Sequence, residues 1–288
     1  MCCPIGPIRM PVDQDRRRAT FERLDRQLTK LSAKPIPENV HRFRTYGRRL
    51  EALLEQLVPE PSRNDRKLLK MLARLRKKAG CIRDLDVQVA ALRNLRIPQE
   101  PARKSQLLRS MTEDRGKRER KLAKALDNDT LRELRKRLKR ATKTKIPGQA
   151  DPLAMAVDLL AKLGQGDAPP TEKVLHQFRI VGKRARYLAE LAGPDPKAER
   201  LIEQLKHMQD VLGDWHDWLK LTERAQRLFG ATEDSPLLSA LRNVTRAKFR
   251  QATLALTEMR AAMAGRKPVS PETTEPRRAA GHASSSVA

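Results

Sequence analysis

The chain of 288 residues carries 61 Lys and Arg against 35 Asp and Glu, a formal net charge of +26, so the expected partner is an anion. Hydrophobic residues make up 39% and aromatics 3%, which argues against a strand-rich fold and suits a core of Leu and Ala packed between helices. The cysteines Cys2, Cys3 and Cys81 offer neither a disulfide framework nor metal-ligand spacing, and no run of about 18 apolar residues occurs, so a cytoplasmic protein without membrane attachment is expected.

Taken in order, residues 1–12 read as a flexible leader without the basic and apolar blocks of a signal peptide. Apolar residues then recur at helical spacing, as in Phe21, Leu24, Leu28 and Leu31, or Leu50, Leu53, Leu54 and Leu57. Prolines separate the runs. The expected helices are 13–33, 38–57, 63–95 and 101–126, followed by a basic helix from Thr130 to Lys145 and a linker at 146–150. Further helices cover Pro152 to Gly164, the segments around His176 and Gly213, and a stretch from Pro236. From residue 265 the period is lost and Pro, Ser and Thr dominate, so 265–288 reads as a disordered tail. Charge is lopsided: residues 1–150 hold 40 basic and 18 acidic residues, and 151–288 hold 21 and 17.

The chain repeats itself. VHRFRTYGRRLEALLEQL from Val40 matches LHQFRIVGKRARYLAELA from Leu175 at an offset of 135, and GCIRDLD from Gly80 matches GDWHDWL from Gly213 at an offset of 133. The expected organisation is therefore a first helical half, 13–146, and a second, 147–264. The fold class is all-α: two four-helix bundles related by a pseudo-twofold, with a basic central groove between equivalent helices.

On a helix, His41, Arg44 and Arg48 stand at i, i+3 and i+7 and share one face, with Arg49 at its border. His176, Arg179, Lys183 and Arg184 repeat the pattern, and Arg186 borders it. A single such row is most often a solvated face. Its survival in both halves, which differ at most other surface positions, argues for a shared constraint. Guanidinium forks match phosphate oxygens bidentately, so a linear phosphate chain is the anion that such rows fit best. Arg115, Arg118, Lys121 and Lys124 form a further series expected to line the first half's share of the groove, and the basic run Arg132 to Lys145 either extends it or lies solvated.

Other constellations are weaker. His207, Asp210, Asp214 and Asp217 fall on one face of an unbroken helix, although Gly213 is a point where that helix could break. Acids orienting the arginines are favoured over a metal site. Asp84 and Asp86 read the same way, as orienters of Arg83 or its neighbours. Trp215 and Trp218 read as core anchors.

The motifs His41-x-x-Arg44-x-x-x-Arg48-Arg49, Gly80-x-x-Arg83-Asp84-x-Asp86-Val87, His176-x-x-Arg179-x-x-x-Lys183-Arg184-x-Arg186-Tyr187 and Gln209-Asp210-Val211-Leu212-Gly213-x-x-x-Asp217 together resemble the CHAD domain, a helical family named for its histidine. The likeness spans most of 13–263. It implies two four-helix bundles about a pseudo-twofold, a basic groove that holds inorganic polyphosphate without catalysis, and association with polyphosphate granules. Departures are His216, where the family commonly has Asn or another polar residue, and Ala79 in place of a usual Leu. Many members are fused to a CYTH-type triphosphate tunnel, but no Glu-x-Glu-x-Lys motif is present, so a stand-alone CHAD domain without triphosphatase activity, cofactor or metal is expected.

Two other functions compete. Sequence-independent nucleic-acid binding is the runner-up, opposed by the scarcity of aromatics for stacking and by the lack of helix-turn-helix or zinc-finger spacing. A phosphate-processing enzyme would need a Gly-rich phosphate loop or an activated nucleophile, and neither is seen.

Overall fold

The computed structural model describes residues 11–164, 170–230 and 235–263. Among them are nine helices: α1 (Gln14–Ala33), α2 (Pro37–Gln56), α3 (Arg63–Asn94), α4 (Pro101–Ala125), α5 (Asn128–Ala141), α6 (Pro152–Gly164), α7 (Glu172–Ala189), α8 (Pro196–Phe229) and α9 (Pro236–Met263). The only β-type pairing in the described residues is an isolated antiparallel bridge between Val12 and Ala192. Most of the proposed leader, including Cys2 and Cys3, and the proposed tail from 265 lie outside the described residues; Cys81 is a half-buried free thiol.

Helix starts follow the local chemistry. Asp13 accepts hydrogen bonds from the backbone N–H groups of Asp15 and Arg16 to begin α1, and Ser62 with Asp65 forms a reciprocal capping box on α3; each such cap contributes about 1 kcal/mol. Asp127, Thr171 and Asp195 do the same for α5, α7 and α8. Proline occupies the first turn of α2, α4 and α8, where its missing N–H has no intrahelical partner to lose. α8 runs unbroken through Gly213, so the glycine expected to offer a break is absorbed within the helix.

Within the first half α1 packs on α2, α2 on α3, and α3 on α4 and α5; within the second, α6 packs on α7, α7 on α8 and α9, and α8 on α9. Between halves, α2 meets α7 and α3 meets α8. These are the pairs that the internal repeat makes equivalent.

The apolar core does not divide by halves. One cluster joins Leu24, Phe43 and Leu72 of the first half to Phe178, Leu205 and Trp215 of the second. Another joins Leu85, Leu92 and Met111 to Leu221, Ala225 and Leu238. The 32 residues of α3 and 34 of α8 run through both clusters, and such a shared interior holds the cationic faces of α2 and α7 in fixed relation.

Candidate functional site

α2 buries Phe43, Leu50 and Leu54, and α7 buries Phe178, Ala185 and Leu188. Because those apolar positions fix each helix's rotation, the residues on the other side face a cleft of about 740 Å³. Its walls carry His41, Arg44, Arg48 and Arg49 from α2, Arg83 and Asp84 from α3, and Arg179, Lys183 and Arg186 from α7. Lys206, Gln209, Asp210, Asp214 and Asp217 from α8 and Lys248 from α9 complete it. A smaller recess of about 330 Å³ shares Arg48, Arg179 and Lys183 with the cleft and adds Arg76 and Arg184.

The two rows feel one another. Burial, followed by repulsion from Arg48, Arg76 and Arg179, pulls the Arg44 guanidinium down to about 10. Lys183 falls to about 7, first through burial and then through Arg179, Arg48 and Arg44. Burial and the charge of Arg48 also lower Arg179. Two such cations about 6 Å apart at an effective dielectric of 20 repel by roughly 3 kcal/mol. The cleft thus concentrates positive charges that repel one another.

Individual anchors are clear. Arg44 donates from Nη1 to the Arg76 carbonyl at 3.4 Å and lies 4.0 Å from Asp84. Its guanidinium occupies the space over Gly80, where a Cβ would fall 2.1 Å from Nη1. Arg49 donates to Glu190 at 2.7 Å and sits over the rings of Tyr46 and Tyr187. Arg186 lies 3.5 Å from the same carboxylate and over Tyr187. The Nε atoms of Arg179 and Arg186 are buried without a hydrogen-bond acceptor, an unmet cost for two donors beside the cleft.

Not every expected residue joins the cleft. Arg184 lines only the smaller recess. His176 is exposed, with its ring 5.5 Å from that of His216. Arg115 turns into the protein, donating to Asp86 at 2.6 Å and to the Pro35 carbonyl at 3.1 Å. Arg118 pairs with Asp114, which also receives Arg224 from the other half. No residue of α4 or α5 lines the cleft. The expected series at 115, 118, 121 and 124 advances by three residues against a helical period of 3.6, so it drifts about 60° per step and wraps around α4 rather than sharing one face.

The carboxylates act largely as partners for the cations. Asp214 meets Lys248 at 2.7 Å, Asp84 meets Arg44, and Asp86 meets Arg115. Asp217 is pushed up to about 6 by burial, against the pull of Arg179. His207 does not line the cleft, and among the described residues no three or more His, Cys, Asp or Glu are grouped to hold a metal ion. Burial lowers His41, with Arg83 adding to the effect, and takes His216 to about 3, so both imidazoles are neutral near pH 7. Sequence periodicity missed Lys206 and Lys248, which come from helices with no duplicated basic row. Trp215 is buried against Phe249, as a core anchor should be.

Among the described residues no helix is long and apolar enough to cross a membrane. No curated protein matches the sequence. Among solved structures, the crystal structure of the CHAD domain from the plant Ricinus communis is similar, with a TM-score of 0.66 at 18% identity, covering 92% of this chain and 99% of that one. PptA from Streptomyces chartreusis is also similar, with a TM-score of 0.61 at 16% identity, covering 88% and 99%. The family model for the CHAD domain matches residues 17–226, and with the helical architecture of a solved CHAD domain behind that match, the chain belongs to the CHAD domain family.

Proposed function

We propose that this chain binds inorganic polyphosphate in the cleft between α2, α3, α7 and α8, does no chemistry on it, and acts in the cytoplasm at polyphosphate granules. The observation that carries the reading is the mutual repulsion of Arg44, Arg48, Arg179 and Lys183, drawn from two helices onto one cleft. A flexible phosphate chain relieves that repulsion at successive positions. Each charge-assisted contact contributes about 1.5 to 3 kcal/mol, more than the exposed ion pairs elsewhere on the surface. Nine Lys or Arg against four Asp on the walls leave the cleft basic even with Arg44 and Lys248 paired to wall aspartates and Arg49 and Arg186 paired to Glu190.

Sequence-independent nucleic-acid binding is the alternative. The cleft's aromatic side chains are His41 and Tyr187, and the Tyr187 ring already meets the guanidiniums of Arg49 and Arg186, which disfavours base stacking. The test compares long-chain polyphosphate with duplex and single-stranded DNA at equal phosphate concentration across a salt series. Polyphosphate binds more tightly near 150 mM salt, with a steep salt slope; equal or tighter DNA binding favours the alternative. Replacing Arg44 with Arg48, or Arg179 with Lys183, by Ala weakens polyphosphate binding in either pair, and unchanged affinity in both sinks the reading. Phosphate release with Mg²⁺ or Mn²⁺ present that disappears on mutating Asp210, Asp214 or Asp217 overturns the non-catalytic part.

A further inference from the structure

The basic helix α5 has no counterpart in the second half, and none of its cations reaches the cleft. Its position is nevertheless well fixed. Leu131, Leu134, Leu138 and Ala141 are buried in the main core. Arg17 donates to the carbonyls of Thr142 and Thr144, Asn64 donates to that of Arg137, and Arg135 pairs with Asp25. What this scaffold presents outward is charge: Lys136, Lys139, Arg140 and Lys143 are exposed, and none has an ion pair among the described residues. α3, packed against α5, adds Lys67, Lys70 and Arg74 at i, i+3 and i+7, also exposed and unpaired.

We propose that the outer face of α5 and the adjoining part of α3 form a second polyanion-binding surface, which takes a separate segment of polyphosphate and lets one molecule bridge two chains. The apolar side of α5 is consumed by the core, so insertion into a lipid surface has no means of support. The seven named cations carry no aromatic residue among them, which disfavours base stacking and leaves bare phosphate as the matching chemistry. None of these seven cations lines the cleft, so the two cationic faces are separate sites, and long chains can link molecule to molecule by multivalency. The proposal takes its ligand from the polyphosphate reading of the cleft, yet the surface stands on its own charge.

The experiment uses the full chain and four proteins: wild type, an outer variant (Lys136→Gln, Lys139→Gln, Arg140→Gln, Lys143→Gln), its charge-keeping control (Lys136→Arg, Lys139→Arg, Lys143→Arg), and a cleft variant (Arg48→Gln, Arg179→Gln). Melting curves establish that each is folded. Calorimetry with tripolyphosphate counts sites, and light scattering with long-chain polyphosphate measures bridging. Wild type and the charge-keeping control show a tight and a weak site and scatter strongly. The outer variant keeps the tight site within about threefold, loses the weak one, scatters about tenfold less, and lowers the salt slope by about three. Bridging by the outer variant at the wild-type level, or a single site in wild type, overturns the proposal. If the cleft variant binds as wild type while the outer variant loses binding, the cleft reading fails and the outer surface stands. Duplex DNA or phosphatidylserine vesicles bound by the outer face more tightly than polyphosphate overturn the assignment of its ligand.

Discussion

Replacing Gly80 by Ala separates binding from folding at one atom. The new Cβ falls 2.1 Å from Arg44 Nη1 and 3.3 Å from Cζ, so the guanidinium must leave. It is the far end of a flexible side chain, and its hold is slight: a hydrogen bond of 3.4 Å and an ion contact of 4.0 Å, together about 0.5 to 1 kcal/mol. Against this, Ala in the middle of α3 gains about 1 kcal/mol over Gly. Stability should stay level or rise by up to about 1 kcal/mol, a Tm increase of at most about 4 °C for a chain this size. Polyphosphate binding should lose one charge-assisted contact, about 1.5 to 3 kcal/mol or roughly 10- to 150-fold in Kd. Thermal melts with a competition titration near 150 mM salt read both quantities. The reasoning is refuted if Gly80→Ala costs more than about 2 kcal/mol of stability, or if it leaves affinity intact while Arg44→Ala weakens it.

With its pKa lowered to about 7 by burial and the neighbouring cations, Lys183 regains its proton beside a polyanion, so binding takes up a proton and affinity declines as pH rises from about 7 toward 9; Lys183→Gln flattens that profile. The free protein behaves oppositely, because the unfolded chain keeps this proton up to about pH 10, and stability contributed by Lys183 rises between those limits on a pH series of melts. Glu190 holds Arg49 and Arg186 with an internal carboxylate, so Glu190→Gln tightens polyphosphate binding a few-fold and steepens the salt slope by about one; Glu22→Gln, remote and paired with Arg18, leaves both unchanged. Glu100 accepts from the Ser235 hydroxyl at 2.6 Å and the Leu237 N–H at 2.9 Å, and these bonds hold its carboxyl below the usual range. Glu100→Ala therefore lowers Tm at pH 7 without altering binding, and the difference fades as pH falls below the ordinary carboxylate range of about 4.

The helices were readable because Leu spacing, proline punctuation and caps agree: expected bounds of 63–95 and 101–126 meet Arg63–Asn94 and Pro101–Ala125. The duplicated row was readable for a different reason. Two copies of one pattern within a chain reveal which positions resist drift, and Arg44, Arg48, Arg179 and Lys183 do reach one cleft. Periodicity names a face but not what covers it. Arg115 is met by Asp86 from α3, and Arg224 comes from the other half to Asp114; both contacts depend on tertiary packing between distant segments. His176 shows the same limit, since its position in the row matched His41 while its ring turned toward His216.

The shared interior also orders events during synthesis. Leu85, Leu92, Leu107 and Met111 are translated long before Leu221, Leu237 and Leu241, their partners in the second cluster. Until more than a hundred further residues have left the ribosome, the C-terminal part of α3 and the N-terminal part of α4 must present a bare apolar surface in a strongly cationic nascent chain. Polyanions abundant at the ribosome are attracted to that charge before the fold can close. Completion of α8 and α9 is therefore the step at which this apolar surface is covered and the second cluster closes.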